Sequence, residues 1–208
     1  MARFVPLLRD QGARVTLACS PPLVRLFRCL KVPLLAISPA LRPPRADFHS
    51  LMMSLPGRLG ATLETLPPAP YLSAPSGPRT SGVGFVWRGN PEHPNDAARS
   101  MPSPDVLDPL RAHAELIDLQ APKGDFLDTA RRIQGLDLVI TVDTAMAHLA
   151  GALGVPCWVM LPAHWTDWRW LRGRDDSPWY GSVRLYRQPE PGDWASVVAR
   201  MAEDLARM

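Results

Sequence analysis

The segment VDTAMAHLAGALGVP, residues 142–156, ends an apolar run in an acid and a hydroxyl and sets a histidine four residues after the hydroxyl. Asp143 or Thr144 can cap the helix that the following small residues begin. The first backbone N–H groups of such a helix lack partners and sit at the positive end of its dipole, so an anion is favoured there. Ala145 and Ala147 are small enough to let a phosphate approach the backbone. His148 lies one turn further on, on the Thr144 face. The pattern fits an acid–hydroxyl–imidazole cluster around a diphosphate. It also fits an N-cap beside a packed histidine, and spacing alone leaves both readings open.

A second group of polar residues follows the apolar run at Val83. The loop WRGNPEHPNDAARSMP holds Arg88, Asn90, His93, Asn95, Asp96 and Arg99, and loops at strand ends commonly carry function. Arg99, just ahead of a helix starting at Pro104, is the best phosphate candidate; any single polar residue here could equally be solvated loop. A third stretch, HWTDWRWLRGRDDSPWY, carries Trp165, Trp168, Trp170 and Trp179. An indole offers a flat apolar face to a base or sugar and an N–H donor. The same rings could instead anchor an irregular loop, and for at least two of them that is the expectation.

Several chemistries lack their residues. There is no G-x-x-x-x-G-K-[ST] phosphate loop, no H-E-x-x-H and no G-x-S-x-G elbow. Gly82-Val83-Gly84 stands at the start of a strand, the wrong end for a dinucleotide turn. His93 with Asp96, or His164 with Asp167, are lone pairs at metal-ligand spacing and make no site by themselves. No D-x-D triplet is present to hold a cation against a diphosphate. Helix N-termini and arginines would have to neutralise it, and no metal or other cofactor is expected.

These residues need elements to position them. Strands are expected at Val83–Trp87, Glu115–Leu119, Leu138–Val142, Cys157–Leu161 and Val183–Tyr186. Helices are expected at Pro104–His113, Asp125–Gln134, Thr144–Leu153 and Trp194–Arg207. Apolar strands joined by helices indicate a doubly wound parallel sheet covered on both faces, with ligands beyond the strands' carboxyl ends. Before residue 67 the pattern is less regular. It reads as a helix Ala2–Gln11, a strand Arg14–Cys19, a helix Pro22–Leu30, a strand Pro33–Ile37, a further strand Phe48–Met53 and a short helix Gly57–Thr65. The Pro-, Ser- and Gly-rich 67–82 reads as a linker, which divides the chain into 1–72 and 82–208. The first unit opens on a helix, without the central strand and Gly-rich turn of a complete doubly wound domain.

Composition sets the wider bounds. The chain has 208 residues, 46% of them hydrophobic, enough to bury a core. No apolar run is long enough to span a bilayer, and the N-terminus is too charged for a secretory signal. Three single cysteines read as reduced core thiols, pointing to the cytoplasm. The net charge is +3, with Lys31 and Lys123 the only lysines and the arginines scattered among acids. No dense basic run marks a nucleic-acid partner. Many arginines beside 24 prolines fit a bias of base composition.

VDTAMAHLAGALGVP resembles the donor-site motif of glycosyltransferase family 9, the heptosyltransferase group, in which Asp-Thr precedes a helix with a His four residues after the Thr. Together with VGFVWRGNPEHPNDAARSMP, DWRWLRGRDDSPWY and RLYRQPEPGDWASVVARM, it resembles the C-terminal glycosyltransferase domain of bacterial tetratricopeptide-repeat proteins. ARFVPLLRDQGARV and MSLPGRLGATLETLP are similar to that family's N-terminal domain. The resemblance implies a GT-B architecture of two Rossmann-like domains, here with the N-terminal, acceptor-side one truncated. It implies an inverting, metal-independent transfer from a nucleotide-diphosphate sugar, with Asp143, Thr144 and His148 on the donor and Arg99 at the diphosphate. Arg88, Asn90 and Asp96 are second-rank donor-side candidates. The sequence names neither sugar, base nor acceptor, whether glycan or protein, and no catalytic residue.

The chain departs from that family in lacking tetratricopeptide repeats and the N-terminal loop that carries the acidic base in heptosyltransferases. A competing reading is therefore a non-catalytic nucleotide-sugar-binding or scaffold remnant. A dinucleotide-dependent oxidoreductase would fit the alternating elements but lacks the glycine fingerprint.

Overall fold

The computed structural model describes residues 1–75, 77–121 and 124–208. In chain order its helices are α1 (Phe4–Asp10), α2 (Val24–Phe27), α3 (Leu55–Arg58), α4 (Asp96–Arg99), α5 (Phe126–Ile133), α6 (Ala145–Leu153) and α7 (Trp194–Leu205). The strands are β1 (Leu17–Cys19), β2 (Leu34–Ala36), β3 (Val83–Val86), β4 (Leu116–Asp118), β5 (Leu138–Val142), β6 (Cys157–Leu161) and β7 (Val183–Arg187).

β3 to β7 form a five-stranded sheet in the order β4-β3-β5-β6-β7, every pair parallel. The expected doubly wound parallel sheet is therefore present. Alternation along the central strands explains its two covered faces. Val139, Cys157, Val159 and Leu161 pack with α5 and α6; Leu138, Ile140, Val142, Trp158 and Met160 pack with α7 and the 3-10 helix Pro104–Ala112. All ten residues of β5 and β6 are buried as a result.

The helix expected at Pro104–His113 is instead the 3-10 helix Pro104–Ala112. Pro109 inside it has no N–H to donate and its ring crowds the preceding turn, which accounts for the tighter winding. α5 begins with a capping box, Asp125 accepting from the Leu127 and Asp128 N–H groups while Asp128 accepts from the Asp125 N–H. α6 ends on Gly154 at φ 74°, the left-handed position that favours glycine.

The first 66 residues hold a separate parallel pair, β1 with β2. The expected helix Pro22–Leu30 is split into a 3-10 turn, α2 and a second 3-10 turn. Two expectations fail here. Phe48–Met53 forms no strand; no described strand lies beside it to take its backbone bonds, and Phe48 is 92% exposed. The helix placed at Gly57–Thr65 is instead the short α3, which stops before Gly60 at φ 60°. The 67–82 segment lies against the sheet domain, with the Tyr71 and Leu72 N–H groups both donating to the Ala152 carbonyl at 3.0 Å. Leu17, Leu26, Phe27, Leu30 and Leu72 share one apolar cluster with α5 and α6, so the two parts bury a common surface. Among the described residues no helix is long and apolar enough to cross a membrane.

Gly151 in α6 faces the Tyr180 ring so closely that a Cβ would overlap it. Alanine gains roughly 1 kcal/mol in helix propensity over glycine, but overpacking costs about 1–3 kcal/mol. Gly151→Ala should therefore lower stability by about 1 kcal/mol, read by urea unfolding; a stabilised variant would mean that the ring moves aside freely.

Candidate functional site

With strand order β4-β3-β5-β6-β7, connections leave the sheet in opposite directions at β3 and β5. Such a switch point opens a crevice outside the carboxyl ends of the two strands. The loop after β3 and the turn from β5 into α6 flank it and hold six of the seven residues singled out for the donor, the seventh, His148, lying within α6.

At the end of β5, Asp143 is the one carboxylate among the buried polar side chains described, 8% exposed. Oδ1 accepts from Trp170 Nε1 at 2.8 Å, and Oδ2 accepts from the Asp167 N–H at 3.1 Å. Both oxygens thus hold the tryptophan-rich loop that follows β6. The Asp143 carbonyl accepts from Arg99 Nη1 at 3.0 Å, which joins the β3 loop to the end of β5. Arg99 Nε also bonds Asp96 Oδ1 at 3.2 Å, in a pair whose side chains are each 14% exposed. A Cβ on Gly89 would strike that pair, so glycine is required for the loop to pass it.

Thr144 caps α6, its Oγ1 accepting from the Met146 N–H at 3.2 Å and donating to Thr141 Oγ1 at 3.1 Å, whose own hydroxyl donates to the Val142 carbonyl. The helix N-terminus next to Arg99 is thus formed, with Ala145 exposed and Ala147 packed into the core.

His148 faces the other way. Its ring stacks on Trp170 with centroids 5.1 Å apart and planes 6° from parallel, and Nδ1 is 3.2 Å from the Tyr180 hydroxyl. Burial pushes its pKa below the ordinary 6.5, and Arg169 adds to this against the opposing pull of Asp167 and Asp143. Arg169 is itself clamped by Asp167 through 2.6 and 2.7 Å contacts. With Ala145, Tyr180, Phe27, Met52 and Arg169, His148 lines a mainly apolar cavity of about 360 Å³ between the two parts of the chain.

The structure therefore gathers Asp143, Thr144, Arg99 and Asp96 at the switch point and places His148 against them through Trp170. Arg88 and Asn90 stand apart. The Arg88 guanidinium lies 4.8 Å over the Trp87 ring, and Asn90 Oδ1 accepts from the Glu92 N–H in a local turn. Sequence reasoning overlooked Gln120, whose Oε1 accepts from the Trp87 and Arg88 N–H groups and whose Nε2 donates to the Arg88 carbonyl. It also missed the Asp143–Trp170 pair. The signal was available: a buried indole N–H needs an acceptor, and an acid ending a buried strand can supply one. Trp170 and Trp179 are the buried anchors, while Trp165 and Trp168 are exposed.

Residues 106–159 match the family model of glycosyltransferase family 9 (heptosyltransferase), a span that includes Asp143, Thr144 and His148. Over those residues the chain is glycosyltransferase family 9-like. Protein FlbA of Caulobacter vibrioides is 37% identical over 91 residues, 44% of this chain. The chain covers 14% of the length of that relative. No solved structure matches significantly. The family 9-like segment runs from the 3-10 helix into β6, so the β5–α6 turn lies within it.

Asp143→Ala leaves the buried Trp170 indole N–H and the part-buried Asp167 N–H without an acceptor and should cost on the order of 3 kcal/mol in urea unfolding. Asp143→Asn, which keeps one acceptor oxygen, should cost less; equal losses would mean that the lost hydrogen bonds are not the cause. For His148 the sign follows from its lowered pKa. The unfolded chain binds the proton first, so stability falls as pH drops below about 6.5 and goes on falling to the folded pKa. His148→Gln should flatten that slope, as unfolding at several pH values between 7 and 5 would report.

Proposed function

We propose that this chain binds a nucleotide-diphosphate sugar at the crevice between β3 and β5, and that it transfers the sugar to an acceptor hydroxyl with inversion and without a metal. The observation that carries the reading is the Arg99–Asp143 contact. It brings a cation from the β3 loop to the N-terminus of α6, at the switch point of a family 9-like sheet.

In such a transfer the acceptor oxygen bonds the anomeric carbon as the bond to the diphosphate breaks. Negative charge then builds on the leaving oxygen, and a preorganised cation and helix N-terminus stabilise it. Arg99 and the α6 N–H groups take this role, with Arg88 as a further cation at the rim. Thr144 fixes the start of α6. Asp143 acts through what it holds, because both its carboxylate oxygens are engaged. The acceptor proton passes to a base that we leave unassigned. Free, unpaired cysteines fit a reducing, cytoplasmic setting.

The same engagement of Asp143 favours a second reading, a nucleotide-sugar-binding module without turnover. The two differ only in whether a bound donor is consumed.

The test is a thermal-shift titration of the full chain with UDP-, GDP-, ADP- and TDP-sugars, with and without EDTA. A donor at a hundred times its Kd should add about 2.7 kcal/mol, unchanged by EDTA. Arg99→Gln should lower that affinity, and Arg88→Ala should lower it less. No shift with any donor, from a chain that melts cooperatively, overturns the proposal. Consumption of a bound donor with an added acceptor separates enzyme from binding module.

A further inference from the structure

Of the seven tryptophans, Trp165 alone is both four-fifths exposed and free of any aromatic or cationic partner among the described residues. Trp168 is half exposed but meets Trp179 edge-on and carries Arg169 over its face; the remaining five are more deeply placed. An uncovered indole loses hydration free energy that burial would recover. Its backbone is also held at φ 58°, a left-handed conformation that bulky side chains rarely adopt. Such an outlier persists only where its surroundings over-determine it.

Those surroundings are the proposed donor site. Asn95 Nδ2 donates to the Trp165 carbonyl at 2.7 Å. Asn95 caps α4, and Arg99 at the end of that same turn bonds the Asp143 carbonyl. On the other side of Trp165, the Asp167 N–H is held by Asp143 Oδ2. One carboxylate and one amide thus hold an exposed ring at the rim of the crevice.

We infer that Trp165 is the stacking platform for the nucleobase of the donor, making the loop after β6 the base-recognition side of the site. The inference rests on the donor reading above. A ring face recognises the π-system of any base, so Trp165 supplies affinity more than a choice among bases. It also divides the site: the diphosphate end is built from Arg99 and α6, the base end from Trp165.

The test compares inorganic pyrophosphate with UDP, GDP, ADP and TDP on the parent chain, Trp165→Ala and Trp165→Phe, by calorimetric titration. Base stacking on an aromatic ring changes affinity by roughly 5- to 140-fold on alanine substitution. Trp165→Ala should therefore weaken the nucleoside diphosphate that the parent prefers by such a factor and leave pyrophosphate within about twofold, while Trp165→Phe retains most of the affinity. Because the ring is exposed, both variants should melt as the parent does. If Trp165→Ala binds nucleoside diphosphates as the parent does, the platform assignment is wrong. Equal weakening of pyrophosphate and nucleotide also overturns it, by making Trp165 a structural residue. A parent that binds none of these compounds removes the donor reading itself, and the inference with it.

Discussion

The site depends on a buried carboxylate. Asp143 ends a strand that is covered on both faces, where an ionised group is costly unless it is fully hydrogen-bonded. Its oxygens find the Trp170 indole and the Asp167 amide, both from the loop after β6. The requirement runs in both directions: the acid needs donors, and the loop, with little regular structure, needs an anchor. The result sets the path of residues 162–170. It fixes Trp170 beneath the His148 ring, brings Asp167 to Arg169 and holds the segment that carries Trp165 at the rim.

Arginines complete the work that regular structure leaves undone. Arg187 Nη2 donates to the Trp170 and Leu171 carbonyls at 2.7 Å, at the residue where Leu171 takes a left-handed φ of 54°. Arg99 does the same for the Asp143 carbonyl, and Arg3 for those of Pro67 and Trp179. The guanidinium is suited to this because it offers five donors in a planar fork and stays charged. Burial lowers the pKa of Arg187, though the group starts so high that its charge persists. A bias of base composition would raise the number of arginines but would not choose these positions.

How much was legible follows from range. β5 and β6 were readable to the residue, and α6 to within one at its start, because apolar runs of strand length, a Thr cap and a Gly stop are local signals. The parallel order was readable as a class, since apolar strands alternated with helices. Phe48–Met53 was misread because β-rich composition says nothing about whether a neighbour exists to pair with. In the site, residue types were visible and partnerships were not. Asp143 could be chosen from its place at a strand end, yet its partners lie 24 and 27 positions later, in a loop whose path no periodicity describes. Gln120 had no mark at all, standing after a short strand and acting through two backbone amides more than 30 positions earlier.

The two parts of the chain meet where His148 is buried, and this gives the imidazole its character. Arg3 is 2% exposed and among the described residues forms no ion pair with a carboxylate; its charge is met by two carbonyls and by the faces of Tyr71, Trp179 and Tyr180 at 4.8, 5.3 and 5.2 Å. Cation–π contacts strengthen when they are desolvated, so this cage holds only while the first helix stays docked. Tyr180, one wall of the cage, also presents its hydroxyl to His148 Nδ1. Separation of the parts would hydrate Arg3, loosen Tyr180 and admit water to the imidazole. The burial that lowers the His148 pKa would then be lost. The docked state therefore sets both the shape of the cavity and the proton affinity of the residue that lines it.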